Sequence, residues 1–183
     1  SSDDVIENAD VSIKGVKTSG SKGMYKAHFK EGNTYDINLN AKYYKSKTKK
    51  YKAQKGNNVV KITLEKNKFD VIGRIYSNGN PVKDSDVEIG NYKTTTNENG
   101  YFELENIPAG MKEIKVSRQG YNNVTMDYDI YDDLLVSLNN SETAKMVGSL
   151  EKNNEKVIDL GKVKLDSLPT KISGEIYSQY TDK

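Results

Sequence analysis

The chain of 183 residues contains no cysteine, no tryptophan and a single histidine. The lack of cysteine excludes a disulfide framework, a cysteine-rich zinc site and a thiol nucleophile, and one histidine excludes any site that needs two imidazoles. Apolar residues make up 34%, and exchanging the 13 tyrosines of that count for the 14 glycines barely changes it. Globular domains typically reach about 45–50%. We therefore expect small modules with thin two-layered cores, and metal-free, non-redox chemistry.

The charges nearly cancel, with 28 Lys and Arg against 26 Asp and Glu, and the two signs are interspersed. Arginine, the preferred side chain for phosphates and base edges, occurs only at Arg74 and Arg118, so we expect no nucleic-acid partner. The lysine run Lys42–Lys55 alternates with tyrosines and could form a basic-aromatic patch, although a solvated hairpin is favoured. Because no run of about 18 apolar residues and no charged-then-apolar leader occurs, we expect neither membrane insertion nor an export signal within these residues.

Similar phrases recur at two fixed distances. Gly23–His28 aligns with Gly100–Glu105 at an offset of 77, and Lys61–Leu64 aligns with Lys162–Leu165 at 101. The second copy therefore holds 24 extra residues between about positions 122 and 156. Val71–Ser77 then recurs as Lys171–Ser178. We predict a tandem array: module 1 over residues 1–66 without its opening strand, module 2 over 67–167, and a linker with the first strand of a third module over 168–183.

Strict alternation of apolar and polar residues predicts short strands that bury one face. In the first copy the apolar positions are Val11 and Ile13; Tyr25, Ala27 and Phe29; Tyr35, Ile37 and Leu39; and Val60, Ile62 and Leu64. The second copy repeats the pattern, with turn signals at Asn78–Pro81, Asn97–Gly100 and Ile107–Gly110. Asn123–Leu138 is ambiguous between strands and one helical turn, and an added hairpin or edge strands are favoured.

The second copy contains sequence motifs typical of a known family. They are Phe69–Tyr76, Pro81–Val82, Asp86–Ile89, Thr95–Leu104, Ile107–Gly110, Val116–Tyr121 and Ile158–Leu165. Residues 68–167 resemble the carboxypeptidase regulatory-like domain family, and residues 5–66 resemble it more weakly. The resemblance implies an all-β fold of tandem prealbumin-like (transthyretin-like) β-sandwich modules, about seven strands each. It also implies non-catalytic companions in secreted and surface proteins, among them the X-modules beside dockerins, to which the second copy is similar.

Candidate chemistry is sparse, and we predict no catalytic residue and no cofactor. The alternation places His28 on the solvent-facing side of its strand. No enclosed site is expected there that could tune it as a general base. Four carboxylates lie within seven residues and are weak candidates for calcium, although no glycine-bearing ligand loop accompanies them; they are Asp127, Asp129, Asp132 and Asp133. An isopeptide bond between a core lysine and an asparagine is a further alternative, but no buried-acid signature accompanies it.

Tyrosine is the remaining surplus, and its rings can stack on a sugar, anchor a partner or fill cross-strand pairs. The speculative ligand-stacking positions are Tyr43, Tyr76, Tyr101 and Tyr128. We predict non-catalytic spacer or protein-interaction modules of an extracellular or cell-surface protein, with a carbohydrate-binding or adhesive module as the alternative and an enzyme a distant third. The expected partners are flanking domains of the same chain and other surface proteins or a glycan. End-to-end strand pairing through Lys171–Ser178 is a further expectation.

Overall fold

The computed structural model describes residues 4–131, 134–137, 149–152, 155–169 and 173–174, and this part of the chain consists of strands, turns and loops without a helix. The predicted all-β class is confirmed. The N-terminal part (residues 4–66) contains β1 Ala9–Ile13, β2 Thr18–Ser21, β3 Met24–Ala27, β4 Thr34–Ala41 and β5 Lys47–Lys52. The C-terminal part (residues 67–169) contains β6 Lys68–Ser77, β7 Asn80–Pro81, β8 Asp86–Ile89, β9 Tyr92–Thr95, β10 Tyr101–Pro108, β11 Gly110–Ser117, β12 Val124–Tyr131, β13 Leu134–Ser137, β14 Ser149–Lys152 and β15 Glu155–Lys164.

The C-terminal part is a β-sandwich. One sheet has the order β10-β6-β15-β14, with β7 beside β6, and the other has the order β13-β12-β11-β8-β9. All neighbours are antiparallel except β6 and β15, which run parallel. The alternation seen in the sequence places one face of each strand in the core, as a two-residue period requires. The fully buried side chains include Val71, Ile75, Val87, Ile89, Phe102, Ile107, Ile114, Val116, Ile130, Ile158 and Leu165.

Two glycines fix how β10 meets β6. Gly100 has a φ of 68° and ends the turn before β10, and a Cβ there would lie 2.3 Å from the backbone oxygen of Ile75. A Cβ on Gly73, within β6, would lie 2.8 Å from the ring of Phe102. Only glycine leaves room for both approaches, so the ring of Phe102 packs closely against β6 at Gly73.

The N-terminal part has a much smaller core. Its three-stranded sheet has the order β1-β4-β5, and β2 and β3 form a separate hairpin. The buried apolar residues of this part are Ile13, Ile37, Ala53 and Leu64. Phe29, predicted to belong to a strand, lies beyond the end of β3, and its ring centroid is 4.7 Å from that of Tyr35. The four side chains give this part less buried apolar surface than the sandwich.

The strand predicted over Val60–Leu64 does not form, since these residues join no ladder. The alternation itself is present, because Leu64 is buried while Val60 is exposed. A strand also needs a partner for its backbone groups. The aligned segment of the second copy is β15, which obtains this partner from β6. In residues 4–66 no strand takes the place of β6.

The two parts share their sheet register. The order β1-β4-β5 matches the order β8-β11-β12. The paired residues correspond at offsets of 76 for β1 and 77 for β4 and β5: Ile13↔Ile37 with Ile89↔Ile114, Val11↔Leu39 with Val87↔Val116, and Leu39↔Lys47 with Val116↔Val124. Register determines which side chains face the core. This agreement supports the offset of 77 as a structural equivalence.

The ambiguous segment Asn123–Leu138 supplies two strands where the structure describes it. β12 pairs with β11, as β5 pairs with β4, so β12 belongs to the shared pattern. β13 adds an edge strand antiparallel to β12, and β14 adds one beside β15. An edge strand, one of the favoured outcomes for this segment, is therefore present as β13, and β13 and β14 each extend one sheet of the C-terminal part.

Candidate functional site

The two parts meet where the turn after β4 lies against β12. The Nζ of Lys42 is 2.7 Å from Oδ2 of Asp129, and it also lies 4.1 Å from the ring centroid of Tyr131 and 4.8 Å from that of Tyr43. The two rings meet edge to face, with centroids 6.3 Å apart. One ammonium thus contacts a carboxylate and two aromatic faces, and ion pairing acts together with cation–π attraction. We call these four side chains the junction cluster.

The alternation of β12 explains why two members of the junction cluster lie together. Tyr128 and Met126 pack toward the sandwich core, so Asp129 and Tyr131 belong to the opposite face, which the N-terminal part covers. Asp129 is consequently only 9% exposed, and its Oδ1 is a buried atom without a hydrogen-bond partner among the residues that the structure describes. The hydrogen bond from Lys42 to Asp129 raises the pKa of the lysine above its usual value. The amine is therefore held as an ammonium, which is no nucleophile.

Tyr43 has an unusual backbone. Its φ of 73° lies in the left-handed region, where a bulky residue is a genuine outlier and costs about 1–2 kcal/mol. Its ring is half-buried, contacts Tyr131 and packs against the core of the C-terminal part. Strained residues persist where the surroundings over-determine them. The ring contacts across the junction supply that compensation.

Backbone hydrogen bonds hold the connecting residues on both sides. The N–H of Lys45 donates to the carbonyl of Glu65 at 2.8 Å, and the N–H of Asn67 donates to the carbonyl of Tyr43 at 2.8 Å. The carbonyl of Asn67 accepts from the N–H of Ala109 at 2.9 Å. The connection between the two parts is therefore tied to β4's turn and to the start of β11, unlike a free linker.

A groove of about 460 Å³ opens beside the junction cluster. Its lining is polar and includes Asn8, Asp10, Asn40, Lys42, Tyr44 and Tyr131. Small-molecule sites are usually enclosed and mostly apolar. This groove instead offers amide, carboxylate, ammonium and phenol groups to the solvent, a set that can hydrogen-bond a polar ligand but cannot exclude water from a reaction.

The four tyrosines proposed for ligand stacking occupy three places. Tyr101 lies directly opposite Arg74, and Tyr76 is two residues further along β6, so these two tyrosines share the outer face of one sheet. Tyr43 belongs to the junction cluster. Tyr128 is half-buried against the core, and burial raises the pKa of its phenol. The structure thus brings together one pair of the four.

The remaining candidates do not assemble into a catalytic or metal centre in the described ranges. His28 is exposed at the end of β3. Asp127 and Asp129 share a face of β12, whereas Asp132 and Asp133 lie outside the described residues. Among residues that the structure describes, no group of three or more potential metal ligands occurs. Nor does any helix there have the length and hydrophobicity to cross a membrane.

Sequence reasoning placed Lys42 in a solvated lysine run and Asp129 among calcium candidates, and it missed their contact. The partners are 87 residues apart, and alternation identifies a face without saying what covers it. One available signal was position 43, where the second copy has Gly120 in the same phrase. A tyrosine at a glycine position indicates a side chain with a special role.

The class defined by these features is a β-sandwich with a polar surface. Residues 70–143 match the model of the carboxypeptidase regulatory-like domain, so this segment of the chain is similar to that family. The resemblance stated from the second copy's motifs is thereby confirmed. No curated protein matches the chain.

Several solved structures are similar to part of the chain. Two are type II cohesin–X-dockerin complexes from Acetivibrio cellulolyticus: an N-terminal interface mutant, with 19% identity over 54% of this chain and 58% of that one at a TM-score of 0.34, and a C-terminal interface mutant, with 20% identity over 53% and 56% at 0.33. The third is 3-chlorocatechol 1,2-dioxygenase from Rhodococcus opacus 1CP, with 15% identity over 56% and 60% at 0.38. The chain spans less than two thirds of each of these chains.

Proposed function

We propose that the chain forms two non-catalytic β-sandwich modules, residues 1–66 and 67–167, that act as a spacer and protein-interaction segment of a larger extracellular or cell-surface protein. The observation that carries this proposal is the junction cluster, together with the hydrogen-bonded connection at residues 65–67. A spacer has to hold its neighbours at a fixed distance and angle. Contacts that tie both parts to their connection restrict that angle, whereas a flexible linker would not.

The same connection recurs at the other end of the C-terminal part. Asn122 donates to Asp166 and Leu168 donates to Gly120, at 2.8 Å and 2.9 Å. The corresponding bonds of the first connection are Lys45 to Glu65 and Asn67 to Tyr43. Isolated bridges Tyr44↔Lys66 and Tyr121↔Ser167 complete the correspondence. A unit attached after Leu168 would therefore leave the sandwich by the same backbone path, which is what a repeating spacer needs.

The chemistry of the described residues supports a non-catalytic role. The groove beside the junction is open and polar, the Lys42 amine is held protonated, and His28 is exposed to water. Catalytic groups need an environment that shifts their pKa toward the working pH or lowers the local dielectric. None of these three features supplies such an environment.

Distance measurements between two spin labels test the spacer role. Because the chain lacks cysteine, Lys14→Cys and Asn91→Cys place one label in an exposed turn of each part. We expect one narrow distance distribution, which broadens when Lys42→Ala and Tyr43→Ala are added. Lys50→Ala, which removes an exposed ion pair with Asp36 inside the N-terminal part, is the matched control and leaves the distribution narrow. A broad distribution in the otherwise unchanged chain would refute the spacer role.

A second candidate is glycan binding, and two observations favour it. The polar groove carries amide, carboxylate and phenol groups, and Tyr76 and Tyr101 lie on one sheet face. Stacking on an aromatic ring and hydrogen bonding to hydroxyls are the usual contacts of a sugar. A glycan array should then give a specific hit that is lost in Tyr131→Ala or in Tyr101→Ala, which distinguishes the groove from the face. Tyr92→Ala, in β9 of the other sheet, is the control, and an array without hits rejects this candidate.

A further inference from the structure

The outer face of the sheet around β6 carries two rows of cations and aromatic rings. Tyr101 of β10 lies opposite Arg74 on one side of β6, and Lys162 of β15 lies opposite it on the other. In the next row, Lys164 lies opposite Tyr76. Partners in a ladder share a face, and successive rows on one face are about 7 Å apart. We call these five side chains the outer rows.

A β-bulge in β15 places Lys162 in the outer rows. The pairing of β15 with β6 shifts between Asp159 and Lys162, where β15 has one extra residue. Gly161, within this shift, has a φ of 67°, and its N–H donates to Oδ1 of Asp159 at 2.8 Å. Without the extra residue the alternation would turn Lys162 toward the core, because a shift of one residue exchanges the two faces of a strand. Bulges commonly re-aim a side chain, and this one sets a cation beside another cation.

Arg74 and Lys162 lie beside each other without an anion. Both are exposed, and neither makes an ion pair, a hydrogen bond or a ring contact with any residue that the structure describes. Acidic residues are close, since Glu103 and Asp159 lie opposite Ile72 in the neighbouring row. Like charges directly opposite each other destabilise a sheet. A local arrangement that costs stability without a compensating contact is typical of a functional site.

The chemistry of the outer rows suits a ring with a carboxylate. The guanidinium of Arg74 has parallel N–H groups that match the two oxygens of a carboxylate, and Lys162 adds an ammonium. Tyr76 is half-buried on the same face, and a tyrosine ring stacks against the apolar face of a sugar. Because the rows are about 7 Å apart, a pyranose on Tyr76 has Arg74 within reach of a carboxylate substituent. Lys164 is already paired with Asp166 at 2.7 Å.

An extended peptide fits this face less well than a sugar. Such a peptide gains affinity by adding a strand to a free sheet edge, but β6 has β10 on one side and β15 on the other. The backbone groups of β6 are therefore already hydrogen-bonded. A ligand above β6 contacts side chains alone, which favours a rigid ring with a charged substituent.

The lysine-rich strand β5 is the competing cationic surface. Lys50 pairs there with an aspartate at 3.4 Å, and Lys47 donates to a backbone carbonyl at 2.7 Å. Lys49 and Lys52 have no such partner among the described residues, but the two-residue period puts them on opposite faces of the strand. No two uncommitted cations of β5 therefore share a face, whereas Arg74 and Lys162 do.

We infer that the outer rows bind an acidic glycan, with a sugar carboxylate between Arg74 and Lys162 and its ring stacked on Tyr76. This inference rests on the second candidate function, glycan binding, and it adds the charge class of the sugar and the choice of this sheet face over the groove. It does not depend on the spacer role, which the spin-label distances test separately.

Titration of the full chain with trigalacturonate, followed by amide NMR spectra and calorimetry, tests the inference. We expect saturable binding with shifts at the amides of β6 and β15. The methyl ester of the same trimer keeps the rings but loses the charges, and it should bind at least about tenfold more weakly. Arg74→Gln should weaken binding of the acid by at least about tenfold. Arg118→Gln, which removes the other arginine of the chain, is the matched control and leaves binding unchanged.

Further variants separate binding from folding. Lys162→Gln should also weaken binding, and Tyr76→Leu should weaken it while Tyr92→Leu, in the other sheet, does not. Because Arg74→Gln and Lys162→Gln each remove one of two opposed like charges, the thermal midpoint of unfolding should stay the same or rise. A lower midpoint that accompanies the loss of binding would show that these cations support the fold, and it would overturn the inference.

Other results would also overturn it, each for a different reason. Equal binding of the acid and its methyl ester would retain glycan binding but reject the acidic class. Loss of binding in the double variant Lys49→Gln and Lys52→Gln, but not in Arg74→Gln, would assign the sugar to β5. Hexaglutamate that binds as tightly as trigalacturonate would assign the face to an acidic peptide. No binding of either trimer, with hits elsewhere on the glycan array, would reject this inference alone.

Discussion

Tyr43 and Gly120 occupy equivalent positions in the two parts of the chain, and both have a positive φ, 73° and 87°. Each carbonyl accepts a hydrogen bond from the chain that leaves its unit, from Asn67 and from Leu168. The left-handed conformation is thus required by the connection and is not an accident of one turn. Glycine is the residue that adopts it without cost, and what Tyr43 adds over glycine is its ring, which contacts Tyr131 in the junction.

Replacement of Tyr43 should separate backbone strain from ring packing. Tyr43→Ala loses the ring and keeps the strain, whereas Tyr43→Gly loses the ring and relieves the strain. We expect both variants to be destabilised, with the glycine variant more stable than the alanine variant by about 1 kcal/mol. Urea unfolding of the two variants measures the difference.

Tyr92 in β9 provides the control for this order. It has no positive φ, and glycine in a strand is less stable than alanine by about 0.5–1 kcal/mol. The order of the alanine and glycine variants should therefore reverse at Tyr92. The same order at both positions would show that the conformation of Tyr43 is not what makes the difference.

The ion pair of the junction cluster predicts a pH dependence. The hydrogen bond to Asp129 raises the pKa of Lys42 above the usual 10.5. Its contribution is therefore fully present below the unfolded-state pKa and is lost as the pH rises through the higher folded-state pKa. The difference in thermal midpoint between the unaltered chain and Lys42→Met should be constant near neutral pH and shrink in strong alkali.

A double variant shows whether the buried carboxylate of Asp129 causes the loss of stability expected in Lys42→Met. Lys42→Met leaves Asp129 covered and without its cation, which is costly, and replacing both partners by apolar residues removes that cost. Lys42→Met with Asp129→Leu should thus be more stable than Lys42→Met alone. Lys50→Met, in the exposed pair with Asp36, should change the midpoint little. A double variant no more stable than the single one would contradict the role given to Asp129.

Adding a side chain at Gly73 should destabilise the C-terminal part through steric overlap. Gly73→Ala places a Cβ 2.8 Å from the Phe102 ring and 3.2 Å from Cβ of Leu160, and overpacking of this kind costs about 1–3 kcal/mol. Phe102→Leu, which has no ring to collide with, should be more tolerant of Gly73→Ala than the unaltered chain. In contrast, Gly174→Ala meets nothing within 4 Å and should change the free energy of unfolding by less than about 0.5 kcal/mol. Equal effects at the two glycines would contradict the packing around Phe102.

Local patterns in the sequence identified most strands, because alternation decides which face is buried wherever a partner strand exists. The sequence predicted β4 from three apolar positions and β11 from two. The structure pairs β4 with β1 and β11 with β8, and the two pairs have the same register. The same alternation over Val60–Leu64 did not produce a strand, since pairing depends on a strand elsewhere in the chain. Periodicity describes one chain segment, whereas a ladder needs two.

The junction was harder to predict for a related reason. Lys42 and Asp129 are separated by 87 residues and come together only when both parts have folded. The sequence shows a lysine in a basic run and an aspartate in an acidic one, and solvation is the usual fate of both. Their contact depends on the outer face of β12 being covered, which neither local pattern indicates. Tyr43 has a positive φ although glycine is preferred there. Only the alignment of Tyr43 with Gly120 could indicate this conformation from the sequence.

Replacement of Thr96 should show what the loss of a buried, hydrogen-bonded hydroxyl costs in stability. Its Oγ1 donates to the carbonyl of Val82 at 2.8 Å and accepts from the N–H of Ser85 at 2.9 Å, and it is 3% exposed. Thr96→Val keeps the shape but leaves the Ser85 N–H without this acceptor, which costs about 1–3 kcal/mol. Chemical unfolding should show that loss, whereas Thr95→Val, at the exposed neighbouring position, should change the free energy of unfolding by less than about 0.5 kcal/mol. An equal loss of unfolding free energy in the two valine variants would mean that the hydrogen bond from the Ser85 N–H to the Thr96 hydroxyl does not stabilise the loop before β8.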